Sequence, residues 1–289
     1  MPSFLTSLFH QSKQPVSNKR THTRHIYRRL VSTAVATIAA AATITAPPAN
    51  AIDFGRLLFN GLRAIQLSNI SERQEIELGR DINNQLVRSG EFQIETNPQL
   101  VNRVNRIGRR LVPHTDRPDL PFTIQVVRDN SINAFATTGG FVYITTGTLR
   151  AADNEAQIAS VLAHEMAHIT ERHVVEQMRR STLAQAGAQA LGVDNSALAA
   201  LGVELGIRRP RSRAAEYEAD AEGLDILAQA GYDPNAMPQF LSKLLGASSP
   251  PAFVSTHPHT EDRIERLNAM IAQRFPNQSQ RATRVEVLR

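Results

Sequence analysis

One long helical segment limits what this chain can fold into. Neither proline nor glycine occurs between Glu155 and Arg180, and Asn154, followed three residues later by Gln157, resembles a capping box at the start of a helix. Small and aliphatic residues predominate in the first half of this segment. The apolar residues recur at helical spacing, at Ile158, Val161, Leu162, Met166 and Ile169. We therefore expect a buried central helix around which the rest of the chain packs.

The same helix carries the sequence HEMAH, which contains His164, Glu165 and His168. Residues i and i+4 share one face of a helix, so both imidazoles can bind one metal ion. Glu165 would lie beside that ion, where it could take a proton from a bound water and pass it to a leaving amine. Burying these polar groups without partners would be costly, and a metal ion would supply the partner. The pattern predicts a zinc-dependent peptidase; two histidines on a solvated or packed helix face are the alternative.

A catalytic zinc ion usually takes three protein ligands and keeps one position for water, so a third ligand is needed. His173 is close in sequence, but on a continuous helix it would lie about 140° around the axis from His168. We therefore expect His173 to make a structural hydrogen bond rather than bind the metal.

A second predicted helix, residues 212–223, offers a better third ligand. Glu216 and Asp220 are four residues apart and share a face of this helix. Glu216 could complete the ligand set, and Asp220 could accept the free N–H of a zinc-bound imidazole. Glu218 and Glu222 are expected on the solvated face, although spacing alone does not separate Glu216 from Glu218.

Four motifs occur in one order between about residues 70 and 267. They are NAFATTGGFVYI at 133–144, HEMAH at 164–168, SRAAEYEAD at 212–220, and Thr-His-Pro at 256–258 with Arg-Ile at 263–264. Together they resemble the gluzincin metallopeptidases of the BepA, HtpX and Oma type, a family that includes the CaaX prenyl proteases, and here its soluble periplasmic branch. The resemblance implies a mainly helical α+β fold with a small β-sheet beside the metal helix, and one Zn²⁺ per chain. It also implies zinc ligands at His164, His168 and Glu216, a general base at Glu165, and Asp220 as the residue that orients a ligand.

The resemblance also implies a role for His257. In the family, the histidine of this His-Pro motif faces the active site, where it either stabilises the oxyanion of the tetrahedral intermediate or occupies the open metal position in a latent state. We therefore expect His257 to be a catalytic residue or a blocking one. Arg263, in a final amphipathic helix, is expected to anchor the His257 loop rather than take part in chemistry.

Two segments have the alternating pattern of β-strands, residues 122–127 and 141–146, and Gly139-Gly140 would form the turn into the second. If the second strand borders the cleft, its backbone can pair with an extended peptide. The predicted substrate-binding residues are Gly140, Phe141, Val142 and Tyr143. Alternatively, these strands only cover the helices.

The N-terminal region resembles an export signal. Residues 1–52 contain no acidic residue; basic residues precede an apolar stretch, and the region ends in Ala49-Asn50-Ala51. This pattern predicts a signal peptide, 1–51, followed by a single peptidase domain, 52–289, in the periplasm or an equivalent compartment; an organellar transit peptide is the alternative. Six basic residues lie in this leader, so the formal charge of +5 for the whole chain does not describe the rest, and nucleic-acid binding is not expected. The absence of cysteine excludes disulfides, a lipoprotein anchor and cysteine-ligated metal.

Further helices are expected at residues 71–87 and 98–111. Residues 53–67 have an apolar face that could pack on the enzyme or touch a membrane surface, and residues 183–207 could form a mobile lid or a helical hairpin. Two functions fit these features. One is an endopeptidase that cuts misfolded or misassembled envelope proteins; the other is a chaperone-like assembly protein whose zinc site is blocked by His257. The sequence does not indicate an oligomeric state.

Overall fold

The structure is a computed structural model, and it describes residues 69–90, 92–186, 200–246 and 251–276. The predicted leader and the apolar segment 53–67 lie outside the described residues, and the predicted lid lies only partly within them. All described residues belong to the unit Ile52–Arg289.

Helices predominate. In chain order they are α1 (Glu72–Ser89), α2 (Pro98–Leu111), a 3₁₀ turn (Val112–His114), α3 (Thr146–Ala151), α4 (Glu155–Thr170), α5 (His173–Ala186), a π-helical turn (Glu204–Arg208), α6 (Arg213–Gln229), α7 (Ala236–Leu245), α8 (Ala252–Thr256) and α9 (Thr260–Arg274). The strands are β1 (Thr123–Val127), β2 (Ala134–Ala136) and β3 (Phe141–Thr145). The predicted α+β class with a small sheet is confirmed, and α1 and α2 lie where the sequence predicts helices. In the described part of the chain, no helix combines the length and the apolar character that a membrane span requires.

Helix α4 is the centre of the core, as expected from its composition. Every residue from Gln157 to Thr170 is buried. The side chain of Asn154 accepts a hydrogen bond from the Gln157 amide at 3.0 Å, which caps the helix, while the Gln157 side chain bonds the preceding amide of Asp153 instead of completing a capping box. The helix packs against α6, α2, α7 and β2.

The contact between α4 and α6 is unusually close at Gly223. A Cβ atom at this position would lie 3.1 Å from the Cα of His164, which is tighter than most such contacts, so glycine lets the two helices approach this far without displacement of either backbone. This approach brings the N-terminal half of α6 against the HEMAH face of α4.

Helix α4 ends earlier than its sequence predicts. It stops at Thr170, Arg172 adopts a left-handed conformation with φ of 58°, and α5 starts at His173. The guanidinium of Arg172 donates to the carbonyl of Ile70 at 2.8 Å and lies 3.1 Å from the buried carboxylate of Glu75. The prediction of one helix to Arg180 is therefore wrong. Contacts with residues far earlier in the chain stabilise a break at Arg172, where the sequence has neither glycine nor proline.

The sheet has the strand order β1-β3-β2. Strand β3 lies in the middle, parallel to β1 and antiparallel to β2, and Gly139 and Gly140 enter it with positive φ as expected. Because both edges of β3 are already paired, an extended peptide cannot add to the backbone of Phe141, Val142 and Tyr143, and the prediction of strand pairing there is wrong. Gly140 precedes the strand, and its contact with substrate stays a prediction. Strand β2, three residues long, forms one edge of the sheet and is not predicted by the sequence pattern.

Candidate metal centre

Four buried side chains converge beside α4. One ligand atom from each of His164, His168, Glu216 and His257 lies within 4.8 Å of the others. His164 Nε2 lies 3.1 Å from His168 Nε2 and 3.6 Å from Glu216 Oε2, and His168 Nε2 lies 3.4 Å from Glu216 Oε1. Ligand atoms around a tetrahedral zinc ion, at bonds of about 2.0–2.1 Å, are separated by about 3.3 Å. The spacing therefore suits a metal ion of that size.

Unsatisfied polar atoms at the same place support this fit. Both carboxylate oxygens of Glu165, Oε1 of Glu216 and Nε2 of His257 are buried without a hydrogen-bond partner among the described residues, while Oε2 of Glu216 is ion-paired with Arg263. Such atoms are costly in a protein core. Imidazole nitrogens and carboxylate oxygens are suitable metal ligands, so this donor set fits a bound metal ion.

The position of Glu216 depends on where α6 begins. Ser212 caps the helix by accepting a hydrogen bond from the Ala215 amide at 3.2 Å, which places Glu216 in the first turn. The close packing at Gly223 then directs Glu216 and Asp220 towards α4. Spacing left Glu216 and Glu218 equivalent as candidate ligands, and the structure brings only Glu216 into the cluster.

Glu165 lies beside the cluster and is completely buried. Burial raises the pKa of Glu165 to about 7, although the positive charges nearby oppose this shift. A carboxylate with a pKa near neutrality is well suited to take up and release a proton. From outside α4 the His257 ring approaches it, with Nε2 3.3 Å from Glu165 Oε1.

His257 is held at the end of α8. Its ring stacks on Phe253 with centroids 4.4 Å apart, and its Nδ1 lies 3.2 Å from the Phe253 carbonyl oxygen. Nδ1 also lies 3.0 Å from the Thr256 hydroxyl oxygen, which can accept, and a carbonyl oxygen only accepts. A proton on Nδ1 satisfies both contacts, and in this tautomer Nε2 presents a lone pair to the cluster. Burial lowers the pKa of His257 to about 3, which also favours the neutral ring.

Arg263 contacts the metal-ligand cluster as well as the His257 loop that it was expected to anchor. It donates two hydrogen bonds of 2.8 Å to Asp220, and its Nη1 lies 2.7 Å from Glu216 Oε2. It also donates to the carbonyl of His257 at 3.3 Å, which agrees with the expected anchoring of that loop. Asp220 in turn lies 3.1 Å from His164 Nδ1. Arg263 thus joins the metal-ligand cluster to the His257 loop, and no local pattern in the sequence indicates this contact.

Arg211 is a second such residue. It is buried, and its Nη2 donates to the carbonyls of Ala136 and Gly206, both at 3.1 Å. Its Nη1 has no hydrogen-bond partner within the described segments. Its charge acts on Glu165 and Glu216, so it adds positive potential on the β2 side of the site.

Two side chains that were expected to lie outside the site contact it indirectly. His173 makes a hydrogen-bonded contact with His168, Nδ1 to Nδ1 at 2.7 Å, which agrees with the expected structural role. Glu218 is largely exposed as expected, yet its carboxylate lies 3.0 Å from His173 Nε2. Glu222, in contrast, is only partly exposed and accepts a hydrogen bond from Thr170.

Residues 98–271 match Peptidase family M48. The chain is 36% identical over 257 residues to the beta-barrel assembly-enhancing protease of Escherichia coli (strain K12), which covers 83% of this chain and 52% of that protein. It is 34% identical over 171 residues to the mitochondrial metalloendopeptidase OMA1 of Schizosaccharomyces pombe, covering 57% of this chain and 51% of that protein. The chain spans about half the length of these curated relatives. The matches support a metallopeptidase site that holds a metal ion.

Proposed function

Since the chain belongs to peptidase family M48, we propose that it is a zinc metalloendopeptidase that hydrolyses peptide bonds. The observation that carries this proposal is the buried cluster of His164, His168 and Glu216 next to Glu165, whose carboxylate oxygens have no hydrogen-bond partner among the described residues. A purely structural metal site has no use for such a carboxylate. The metalloendopeptidase names of relatives support the same activity.

His164, His168 and Glu216 would hold the zinc ion. When bound, zinc acts as a Lewis acid and lowers the pKa of a water molecule. Glu165 accepts a proton from the attacking water at its carboxylate and donates it to the leaving amine. Asp220 orients His164 through Nδ1, and Arg263 keeps Asp220 and Glu216 ionised inside the core.

We place the peptide along the outer edge of β2, where it would replace the contact that Arg211 makes with Ala136. The Thr137 amide bonds the Phe141 carbonyl and the Thr145 amide bonds the Asn133 carbonyl, so the backbone of the odd-numbered residues faces β3. The backbone groups of Ala134 and Ala136 therefore face away from β3, towards the side where Arg211 lies. The Ala136 carbonyl accepts a hydrogen bond from Arg211 there and both alanines are buried, so an extended substrate would pair with this edge in place of the Arg211 contact. Such backbone pairing does not depend on side chains, which suits an enzyme that acts on unfolded or misassembled polypeptides.

The compartment and the substrate class form the broader part of the proposal. The leader-like region 1–51 supports export to the periplasm or an equivalent compartment. The name of the Escherichia coli relative refers to β-barrel assembly, which supports substrates among envelope proteins that fail to fold or assemble. Contact of residues 53–67 with a membrane surface stays part of this proposal.

A second candidate function is a chaperone-like assembly protein with a latent site. The observation in its favour is that His257 Nε2 lies in the ligand cluster and presents a lone pair, so it can occupy the fourth position of a metal ion. In this arrangement, His257 would keep water from the metal until the loop between α8 and α9 moves.

Replacing Glu165 by glutamine tests the catalytic proposal, because glutamine cannot accept the proton. We expect Glu165→Gln to retain zinc, measured by elemental analysis, and to lose cleavage of casein. Glu265→Gln is the matched control, since this exposed glutamate lies on α9 outside the cluster. Cleavage that survives in the Glu165 variant would show that Glu165 is not the base.

The His257 loop distinguishes the two candidates. If His257 blocks the metal, His257→Ala will raise the rate of casein cleavage. If it stabilises the oxyanion, which requires a proton on Nε2, the same change will lower that rate. A wild-type protein that binds zinc but cuts nothing, with His257→Ala equally inactive, would favour the assembly function without peptidase activity.

A further inference from the structure

Each histidine of the HEMAH pair has a second ring nitrogen on the side away from the ligand cluster. For His164 this atom, Nδ1, lies 3.1 Å from Oδ1 of Asp220. For His168 the equivalent Nδ1 lies 2.7 Å from Nδ1 of His173. Metal-binding histidines nearly always donate this second N–H to a partner, which sets the tautomer and the orientation of the ring. The partner of His168 is thus a histidine instead of a carboxylate.

The contact between His173 and Glu218 determines which nitrogen carries each proton. Glu218 Oε2 lies 3.0 Å from His173 Nε2, and a carboxylate only accepts hydrogen bonds, so Nε2 of His173 is the donor. Nδ1 of His173 then has a lone pair, which accepts the proton on Nδ1 of His168. Nε2 of His168 is left with its lone pair directed at the cluster. Burial lowers the pKa of both histidines, which favours neutral rings. With both rings neutral, the three side chains have one consistent arrangement of protons, and it is the one that leaves His168 ready to bind a metal.

The break between α4 and α5 creates this contact. On a continuous helix, His173 would lie about 140° around the axis from His168 and would not reach its ring. The left-handed residue Arg172 redirects the chain, and its guanidinium is held by Glu75 and by the carbonyl of Ile70. A non-glycine residue keeps this conformation only when its surroundings enforce it. The position of His173 against His168 is therefore built into the fold.

We propose that Glu218 and His173 form a positioning chain for His168, which holds its imidazole in the tautomer and the orientation that zinc binding requires. Neither residue touches the substrate or the ion; both act through His168, as Asp220 and Arg263 act through His164. The proposal rests on the zinc site of the proposed function and adds the residues that support its second histidine.

Three variants of the full-length protein test the positioning chain. His173→Leu removes the acceptor, His173→Asn keeps an oxygen acceptor close to the position of Nδ1, and Glu218→Gln removes the charge that orients His173. Zinc affinity is measured by competition with a chromophoric chelator, and the visible absorption of the Co²⁺-substituted protein reports the coordination geometry. Glu265→Gln, an exposed acidic residue on α9, is the control for loss of one charge.

We expect His173→Leu to weaken zinc binding by about 10–100-fold and to change the Co²⁺ spectrum. His173→Asn will recover most of the affinity and the wild-type spectrum. Glu218→Gln will weaken binding by less than about tenfold, because its side chain is 61% exposed and water can replace part of the interaction. The control will match the wild type in both measurements.

The outcomes separate this proposal from the proposed function. If the wild type binds zinc and all three variants bind it equally well with unchanged spectra, the positioning chain is refuted and the zinc site stands. A lower melting temperature with unchanged affinity and spectrum refutes it too, because that result indicates only a structural role. If His173→Leu does not fold, the surface variant Glu218→Gln decides the question by the same two measurements. A wild-type protein that binds no zinc would refute the proposed function itself.

Discussion

Removing the charge of Arg263 is expected to destabilise the protein more than most single substitutions. The side chain is 1% exposed and lies against two buried carboxylates, with two hydrogen bonds to Asp220 and one ion pair to Glu216. Arg263→Met keeps much of the volume and leaves both carboxylates without their cation. Breaking a buried ion pair by removing one partner typically costs about 3–5 kcal/mol. We expect a loss in that range for the metal-free protein.

A bound zinc ion should reduce this loss. The metal would supply positive charge to Glu216, so that only Asp220 is left without its main partner. The difference between metal-free and zinc-loaded protein therefore separates the two carboxylates. The free energy of unfolding is measured by urea denaturation, followed by circular dichroism, with chelator or with zinc present.

A double-mutant cycle with Asp220→Asn tests whether the cost comes from the unpaired charge. Asp220→Asn removes one of the two carboxylates that Arg263 neutralises, so Arg263→Met should cost less in that background. We expect the double variant to be more stable than the sum of the single losses by at least about 1 kcal/mol. A loss below about 1 kcal/mol for Arg263→Met, or additive losses in the cycle, would refute the view that Arg263 compensates buried charge.

Three further outcomes are expected. Gly223→Ala will move α6 away from α4, because the new Cβ would lie 3.1 Å from His164 Cα. We expect the free energy of unfolding, measured by urea denaturation, to fall by about 1–3 kcal/mol, and zinc binding, measured by chelator competition, to weaken. Burial raises the pKa of Glu222 from 4.5 to about 7, so the folded protein binds this proton more tightly than the unfolded chain does. The contribution of the protonated Glu222 to the free energy of unfolding is therefore full below pH 4.5 and is lost as the pH rises through 7. Glu222→Gln will therefore change the melting temperature little at pH 4 and raise it at pH 8. The gain in the free energy of unfolding at pH 8 will be no more than about 1 kcal/mol, since the side chain is partly exposed. An equal effect at both pH values would contradict this. Removing zinc with a chelator will lower the melting temperature, whereas equal melting curves with and without metal would argue against a site formed only in the folded state.

The sequence predicts the parts of this protein that depend on neighbours within one helix. His164 and His168 share a face because they are four residues apart, and the same rule pairs Glu216 with Asp220. The buried character of α4 follows from its composition. The family resemblance adds His257 and the order of the motifs, because a resemblance carries tertiary information that spacing lacks.

The predictions from the sequence are wrong where residues far away in the chain determine the backbone conformation. Arg172 has no helix-breaking chemistry of its own, and the end of α4 depends on Glu75 and Ile70, about a hundred residues earlier in the chain. Strand β2 is three residues long, too short for its alternation to be recognised, and it forms because β3 lies beside it. Its presence is also what moves the proposed peptide-binding edge away from β3.

The sequence alone predicts the metal helix with its two histidines and the adjacent glutamate. It also predicts a second helix with acidic residues at a matching spacing. These are local properties, since a periodicity of 3.6 residues determines which side chains share a face. Helical spacing does not separate Glu216 from Glu218, and only the family resemblance favours Glu216. The tertiary structure brings Glu216 to the histidines, because the close approach at Gly223 sets the rotation of α6 against α4. It also decides that Arg263 neutralises the cluster and that His173 reaches His168. These contacts join residues far apart in the chain. The free energy of burying their charges depends on which partners and how much water surround them, and tertiary packing determines both.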